Sequence, residues 1–522
     1  MNRRELFSSL ARSGRRESMP VLTDRLVLVG AEQHTGPLTL ADVHHIIRRL
    51  GVGATVAQAN AFVGKTADEV VESLLGPNET QHPDPPGAWV DAATENPLGA
   101  DLQTRNAIES SWYANHASLS GWWVRQLARD LTATEKLVLF WSNHWTTEFS
   151  FDETVSIPQT LYRQMKVLRT NRLGDLRDLA LEMTVDNAMV WYLGGHFNQV
   201  GKPNENYARE LMELFLTGIG WYTEGDVREA ARVLTGWRAS RYNDEPAPQG
   251  IYETWFDAAA HDTGAKTVLG VTIPGRTKDN NTAFQVKMEE VYELIKIIVR
   301  QRPEAVSRFI AEKFYRFYVY SSPVEGDAEF ISDVARIFRE ADFNIRALMK
   351  AIFTSAHFFD AANRGVQIKT PLEFVCGLER QLGVNVPTAA EWLTRMDQTV
   401  LDPPTVAGWP GYRSWISTNT YPVRRQLASD MLSKVMSNAN LYNLFSSFDT
   451  SSKDAFLDAV LTHFLPVPVS QARRENYLTI LSQTERQLNY TWAQVAGNEE
   501  AAARALRDVL GAIFRAPDFQ LC

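Results

Sequence analysis

The sequence predicts a mainly α-helical protein, with a multi-helix globular fold and a small β-containing insertion around residues 250–275. Two observations carry this prediction. Apolar residues recur at helical spacing over most of the chain. Between residues 238 and 282 that periodicity stops, and Gly, Pro, Asn and Thr become common. We therefore expect helices on both sides of a short irregular segment that contains strands.

The first helices have clear start signals. The segment Leu40–Leu50 carries apolar residues at helical spacing and is followed by glycine as a stop signal. The segment 66–75 opens with the capping-box pattern of Thr66 and Glu69. The segment 134–145 is too apolar for a surface helix, so we expect it to be buried.

Further elements follow in order along the chain. Two consecutive helices are predicted at 204–216 and 223–237, before the insertion. Within the insertion, residues 251–256 and 267–273 have the composition of strands that pair. Helices are then predicted at 284–301, 304–320, 328–340 and 345–355. After residue 370 come more helices and a loop at 402–411 that is rich in Pro, Gly and Trp.

We expect three parts along the chain. Residues 1–35 are predicted to form a flexible N-terminal lead. Residues 36–440 are predicted to form the main helical domain, which includes the insertion at 238–282. Residues 441–522 are predicted to form a C-terminal helical lobe.

Composition excludes several classes of protein. The 522 residues are 44% hydrophobic and 22% charged, so the chain can bury a large core and is not disordered. A net charge of -9 argues against a nucleic-acid binder, which needs a basic surface. Two cysteines, Cys376 and Cys522, are too few for a disulfide framework or a cysteine-based zinc module. The sequence motifs of P-loop nucleotide binding, of HExxH metallopeptidases and of GxSxG hydrolases are absent.

The N-terminus raises the question of export. The Arg3-Arg4 pair looks like the start of a twin-arginine export signal, but no apolar segment follows it. No apolar run approaches the roughly 18 residues that cross a bilayer. We therefore expect no membrane span and favour a cytoplasmic location.

The helix predicted at 204–216 carries a narrow polar stripe. At about 100° per residue, Asn206, Glu210, Glu213 and Thr217 share one face, with Arg209 beside them. The remaining positions are apolar, and the predicted core residues among them are Tyr207, Leu211, Met212 and Phe215. Either the two carboxylates pair with arginines or face solvent, or they face a cleft as metal ligands or acid/base groups.

Two histidines are further candidates. His144 ends an apolar helix among aromatic residues, where a histidine is either a core side chain or a ligand. His261, Asp262 and Lys266 lie on the irregular segment, either as an ordinary turn or as a ligand, a base and an anion anchor.

The helix predicted at 223–237 carries a charged face. Asp226, Glu229 and Arg232 fall on it at i, i+3 and i+6, which is the pattern of an ion-pair face more than that of a site.

Seven stretches in a fixed order identify a family. FWSNHW, PNENYARELMELF, YTEGDVREAARVLTGW and HDTGAKTVLG are followed by FIAEKFYRFY, KTPLEF and PPTVAGWPGYRSWI. Together they resemble the bacterial family catalogued as domain of unknown function 1800, over about residues 40–425. The combination of NENYARELMELF with the LTGW helix is highly specific, although the name of the family assigns no function.

The resemblance implies a shared polar site. Members of the family are often exported and are often encoded beside a protein from a hydrolase-like family, which the resemblance suggests as a partner. This chain has Leu216-Thr217-Gly218 where the family usually has Thr-Leu-Gly, which moves a hydroxyl onto the carboxylate stripe. The family pattern includes His144, Asn204, Asn206, Tyr207, Arg209, Glu210, Glu213, Arg232, His261, Asp262 and Lys266.

One functional hypothesis is a metal-dependent hydrolase or oxidase acting on an anionic or carbohydrate-like substrate. One divalent metal ion would be held in a single pocket by His144, His261, Glu210 and Glu213. The catalytic candidates are Glu210, Glu213 and Asp262, the last orienting a histidine or a metal-bound water. The substrate-binding candidates are Arg209, Arg232, Lys266 and Asn206, and of these Arg209 and Lys266 are expected at the edge of the pocket.

The alternative is a non-catalytic binding or assembly protein. The chain has 14 tryptophans and 16 tyrosines. Loops such as Trp409-Pro410-Gly411-Tyr412, together with Trp415, are predicted to form an aromatic-rich surface for a carbohydrate or a protein.

Overall fold

Regular α-helices dominate the computed structural model, which describes residues 30–78, 81–149 and 156–522. The predicted fold class, mainly α with a small β element, is confirmed. The helices before the insertion are α1 (Leu40–Leu50), α2 (Val56–Phe62), α3 (Ala67–Leu75), α4 (Leu102–Arg129), α5 (Thr134–His144), α6 (Pro158–Asn171), α7 (Leu176–Thr184), α8 (Asn187–Tyr192), α9 (Glu205–Glu210) and α10 (Glu224–Val233).

The helices after the insertion continue to the C-terminus. They are α11 (Ala283–Val286), α12 (Tyr292–Gln301), α13 (Pro303–Tyr318), α14 (Asp327–Glu340), α15 (Ile345–Phe353), α16 (Ala356–Phe359), α17 (Pro371–Leu382), α18 (Ala389–Arg395), α19 (Thr420–Asp430), α20 (Asn438–Ser446), α21 (Lys453–Phe464), α22 (Gln471–Leu488), α23 (Trp492–Ala496) and α24 (Glu499–Phe514). The described residues also contain three π-helical segments, at Leu211–Leu216, Lys287–Val291 and Met431–Val435.

Side-chain caps fix several of the predicted helix starts. Thr66 and Glu69 form the expected capping box at α3. Thr223 caps α10 in the same way, with Asp226 as its partner. Because each box satisfies two backbone N–H groups that the helix itself leaves free, it stops the helix from fraying at that end.

The helix predicted at 204–216 differs from expectation in its second half. The α-helix ends at Glu210, and the chain continues as the π-helical segment Leu211–Leu216, which we call the π-turn. The backbone N–H and the hydroxyl of Thr217 both donate to the Met212 carbonyl, each at 2.8 Å, which closes the wider turn. The predicted core residues Tyr207, Leu211, Met212 and Phe215 are buried, as expected.

The insertion contains two short antiparallel hairpins. Strands β1 (Trp237–Ala239) and β2 (Thr254–Phe256) form the first, and β3 (Lys266–Val268) and β4 (Val271–Ile273) form the second. The tight turn between β3 and β4 is Leu269-Gly270, where both residues have positive φ as a type I′ turn requires. The second hairpin contacts α10, because Glu229 accepts a hydrogen bond from the Thr267 N–H at 2.9 Å.

A buried ion pair lies where three helices meet. Lys136 of α5 and Glu373 of α17 approach to 2.5 Å with both side chains buried. Lys136 also donates to the carbonyl oxygens of Arg48 and Gly51 at the end of α1. One ammonium group therefore joins α1, α5 and α17.

The predicted three-part division stays a prediction. Residues 32–34 pair with residues 354–356 through backbone hydrogen bonds, and α24 packs against α19 and α20. The Arg3-Arg4 motif lies outside the described residues. Within the described ranges, no helix combines the length and the apolar character needed to cross a bilayer.

We expect the Leu211→Ala variant to lose roughly 2–5 kcal/mol of unfolding free energy, because Leu211 is fully buried and its truncation leaves a cavity. Urea denaturation measures the change. The matched control is Ile219→Ala, which truncates a side chain that is 79% exposed and should change stability by less than about 0.5 kcal/mol. Equal stability of the two variants would contradict the burial of this helix face.

Candidate functional site

The residues predicted to form one site belong to several hydrogen-bonded networks. The first surrounds Glu290, a buried residue of the π-helical segment that precedes α12. Glu290 pairs with Lys266 at 2.6 Å, with Arg276, and with His261 at 3.4 Å. His261 Nδ1 also lies 2.8 Å from the Thr235 carbonyl oxygen. We call these four residues the Glu290 network.

Electrostatics make the Glu290 network a structural clamp. Burial alone would raise the pKa of Glu290, but hydrogen bonds from His261 and Lys266 outweigh it and hold the pKa below its usual range. Lys266 donates to the Asp262 carbonyl as well. The network therefore anchors the insertion to the start of α12, and its charged groups are paired with one another.

The second network fixes the insertion to α10. Arg232 forms ion pairs with Glu229 at 2.9 Å and with Asp262 at 2.8 Å. Burial would raise the pKa of Asp262, but the Arg232 hydrogen bond and the Gly264 N–H lower it below its usual range. The ion-pair face predicted on this helix is present and extends to the insertion.

The remaining polar residues of the NENYARE segment bind their own surroundings. Arg209 pairs with Glu224 at 2.7 Å and with Glu205 at 3.4 Å, on a partly exposed surface. Asn206 Nδ2 donates to the Leu193 carbonyl at 3.2 Å. Asn204 caps α9.

Glu210 and Glu213 remain neighbours, as the predicted stripe requires. Both are half-buried, and Glu213 accepts a hydrogen bond from the Tyr222 hydroxyl at 2.7 Å. Burial and then the charge of Glu213 raise the pKa of Glu210. Within the described ranges, no group of three or more His, Cys, Asp and Glu side chains is placed to hold a metal ion.

His144 lies in an aromatic part of the core. Its Nε2 is 2.9 Å from the Phe215 carbonyl oxygen, which can only accept, so Nε2 carries the proton. The other ring nitrogen, Nδ1, is then a lone-pair acceptor, and it has no hydrogen-bond partner among the described residues. Burial, followed by the nearby charge of Lys313, holds the pKa of His144 well below its usual range.

His144 borders a cavity of about 270 Å³, which we call the cleft. Its walls come from the end of α5, from α13, from the start of α17 and from the loop around Trp409. The aromatic residues that line it are Phe140, Phe317, Trp409, Tyr412 and Trp415, and polar lining residues include Asn143, Lys313, Arg316, Gln367, Thr370 and Gln398.

Lys313 is the unusual cation of the cleft. Its Nζ lies 3.3 Å from the Leu214 carbonyl oxygen at the end of the π-turn, and no carboxylate of the described residues pairs with it. Burial lowers the pKa of Lys313 to about 8. The charge of Arg316, by contrast, is balanced by the Glu312 carboxylate, which lies 2.7 Å from the Arg316 guanidinium. A half-buried ammonium without a counter-ion is available to an anionic ligand.

The aromatic loop is held closely against α5. The Trp409 N–H donates to Asn143 Oδ1 at 2.8 Å. Gly408 has a φ of +83°, and a Cβ at this position would collide with Asn143, so glycine permits the approach. Asn143 thereby positions one aromatic wall of the cleft.

Comparison with known proteins identifies the family. The model of the family described as "Protein of unknown function (DUF1800)" matches residues 45–521, nearly the whole chain. The protein belongs to the DUF1800 family. No curated protein and no solved structure matches the chain. The predicted resemblance is confirmed, and the match continues about a hundred residues beyond the segment that suggested it.

Four of the DUF1800-like stretches meet at the cleft. FWSNHW supplies Asn143 and His144, and FIAEKFYRFY supplies Lys313. KTPLEF supplies Thr370, and PPTVAGWPGYRSWI supplies Trp409. Sequence reasoning did not single out Lys313, because a lysine within an amphipathic helix is ordinarily solvated. The signal that marks it is its position between aromatic residues in FIAEKFYRFY.

We expect Glu290→Gln to destabilise the protein by about 3–5 kcal/mol, because it leaves Lys266 buried without its counter-charge. The matched control is Glu289→Gln, which removes an exposed partner of the same Arg276 and should cost at most about 1 kcal/mol. Thermal and urea unfolding measure both.

The pH dependence has a defined sign. The pKa of Glu290 is lowered in the folded state, so its carboxylate adds to the free energy of unfolding. That stabilisation is complete at pH values above the usual glutamate pKa of about 4.3, and it is lost as the pH falls through the pKa of the folded state. A Glu290→Gln variant that is as stable as the control at neutral pH would contradict the clamp.

Proposed function

We propose that this protein binds a carbohydrate that carries an anionic group, in the cleft between α5, α13 and the Trp409 loop. The observation that supports this proposal most directly is the combination of aromatic walls with the half-buried ammonium of Lys313, which no carboxylate of the described residues pairs with. The four DUF1800-like stretches that meet there support it further.

The aromatic lining favours a sugar ring. The C–H faces of a pyranose are apolar and pack against flat aromatic faces through dispersion. Trp409 and Tyr412 line the cleft from the loop, and Phe317 lines it from α13.

Several polar groups at the cleft are free to bind hydroxyls. Asn143 uses its oxygen for Trp409, and Gln398 uses its oxygen for the Leu372 N–H, so the amide nitrogen of each remains a donor. His144 Nδ1 remains an acceptor. Because unsatisfied polar groups near the interior are costly, their presence around one cavity favours a polar ligand.

Lys313 supplies the charge preference. Its ammonium is taken partly out of water, and its partners among the described residues are neutral, the Leu214 carbonyl oxygen and the Phe309 ring, so a carboxylate placed there would recover most of the lost solvation. Arg316 adds positive charge at the mouth, partly offset by Glu312. The ligand is therefore an acidic sugar in preference to a neutral one.

The metal-dependent hydrolase or oxidase stays a second candidate. One observation favours it, because Glu210 and Glu213 are half-buried neighbours that repel each other, and a divalent cation would offset that repulsion. His144 also keeps one lone pair free. The predicted neighbour-encoded partner, and the choice between cytoplasm and export, stay predictions.

We expect wild-type protein on an array of neutral and uronate-containing oligosaccharides to bind acidic members. Lys313→Met should reduce that binding at least about tenfold, because the methionine keeps the chain length and removes the charge. Affinity should also fall as the pH rises above about 8, where Lys313 loses its proton.

The control is Lys434→Met, which removes an exposed lysine outside the cleft and should bind as wild type does. Retained binding in Lys313→Met, or binding of neutral sugars alone, would overturn the proposed charge recognition. If the array shows no binding to any sugar, the carbohydrate proposal fails.

We expect the second candidate to be decided by metal content. Under that candidate, protein purified without chelator should carry about one equivalent of a divalent metal, and Glu210→Ala should lose it while Glu205→Ala, five residues earlier on the same helix, should keep it. Elemental analysis by mass spectrometry measures both variants. Metal-free wild-type protein that cannot be loaded would remove this candidate.

A further inference from the structure

We infer that the ligand is an extended oligosaccharide in which one acidic sugar is flanked on both sides by neutral sugars. This inference rests on the proposed function and adds the length and the charge pattern of the ligand. It follows from a second cavity that shares two side chains with the cleft.

The second cavity, of about 620 Å³, shares Lys313 and Arg316 with the cleft, because both residues line both cavities. We call it the outer chamber. Its wall includes Phe309 of α13 and the exposed residues Ile219 and Trp221, which follow the π-turn. Ile219 is 79% and Trp221 is 49% exposed, so a large apolar surface is presented to solvent there.

The shared position of Lys313 makes it the midpoint of the two cavities. The cleft alone is slightly smaller than the range of about 300–1,000 Å³ that is usual for a complete small-molecule site, whereas the two cavities together fall within that range. A ligand that touches Lys313 and contacts the aromatic residues of both cavities must therefore extend in two directions from its anionic group.

The other charged side chains of the two cavities leave Lys313 as the place for an anion. In the cleft, Glu373 is paired with Lys136, and in the outer chamber Glu312 is paired with Arg316. Arg308 and Glu304, both exposed, are opposite in sign and solvated. Glu213 accepts a hydrogen bond from the neutral Tyr222 hydroxyl and has no cationic partner among the described residues, so its carboxylate disfavours an anionic unit in the outer chamber. The ligand therefore carries its anionic sugar at Lys313 and neutral sugars beyond it.

Aromatic residues are placed to bind these neutral units. Trp221 lines the outer chamber, and Tyr412 lines the cleft. Each supplies an aromatic ring for a neutral sugar in its own cavity. A ligand that contacts both rings must enter both cavities, which we expect of an oligosaccharide and not of a monosaccharide.

Calorimetric titration tests this arrangement with three probes: glucuronate, a tetrasaccharide in which glucuronate alternates with N-acetylglucosamine, and tetragalacturonate, in which every unit is acidic. The alternating tetrasaccharide should bind at least about tenfold more tightly than either glucuronate or tetragalacturonate. Trp221→Ala should weaken the tetrasaccharide about tenfold and leave glucuronate unchanged, whereas Lys313→Met should weaken both.

Phe284→Ala serves as the matched control, because it truncates an aromatic side chain that is 74% exposed and lines neither cavity. It should bind all three probes as wild type does. Equal affinity for glucuronate and the alternating tetrasaccharide, or an unchanged tetrasaccharide affinity in Trp221→Ala, would overturn the extended ligand and leave the acidic-sugar site intact. If none of the probes binds and the array is also blank, the proposed function fails with it.

Discussion

The buried ion pair of Lys136 with Glu373 is the interaction on which the cleft depends. Two charges in the interior are tolerable only if each is matched and hydrogen-bonded, and both conditions hold here. Burial would raise the pKa of Glu373, and the Lys136 charge beside it reverses this and lowers the pKa. Glu373 also closes the capping box of α17 with Thr370, so the same carboxylate sets the start of a helix and the floor of the cleft.

Most of the fold could be predicted from the sequence, because helix starts are local signals. The spacing of residue types alone predicts the capping boxes at Thr66 and Thr223. It also predicts which positions of the NENYARELMELF segment are buried. The π-turn could not be predicted, because the count of 100° per residue assumes one kind of helix, and the wider turn is closed by Thr217 and by tertiary contacts.

The candidate site was harder to predict, because a polar residue within a family motif can either hold the fold together or bind a ligand, and the sequence does not tell these two roles apart. The insertion is attached to its neighbours by ion pairs that involve Arg232, Asp262 and Lys266. Glu290 pairs with both Lys266 and Arg276, and it lies in a helical segment that carries no motif. Lys313 has aromatic neighbours in sequence, but its decisive feature is that no carboxylate of the described residues pairs with it, and that depends on chain segments far apart in sequence. The aromatic loop at Trp409 was predicted as a binding surface, and the proposed function uses it.

The π-turn has a consequence for how this segment can change over evolutionary time. Two carbonyl groups in its second half, those of Leu214 and Phe215, accept from Lys313 and His144. The last carbonyl groups of a helix have no hydrogen-bond partner within the helix itself. Here the side chains of two cleft residues donate to them. Deleting one residue from Leu211–Leu216 would restore the narrower α-helix and rotate the following carbonyls by about 100°. Substitutions at exposed positions do not change the register of these carbonyl groups. A change in length removes the contacts to Lys313 and His144 together, so alignments of this stretch should be free of gaps.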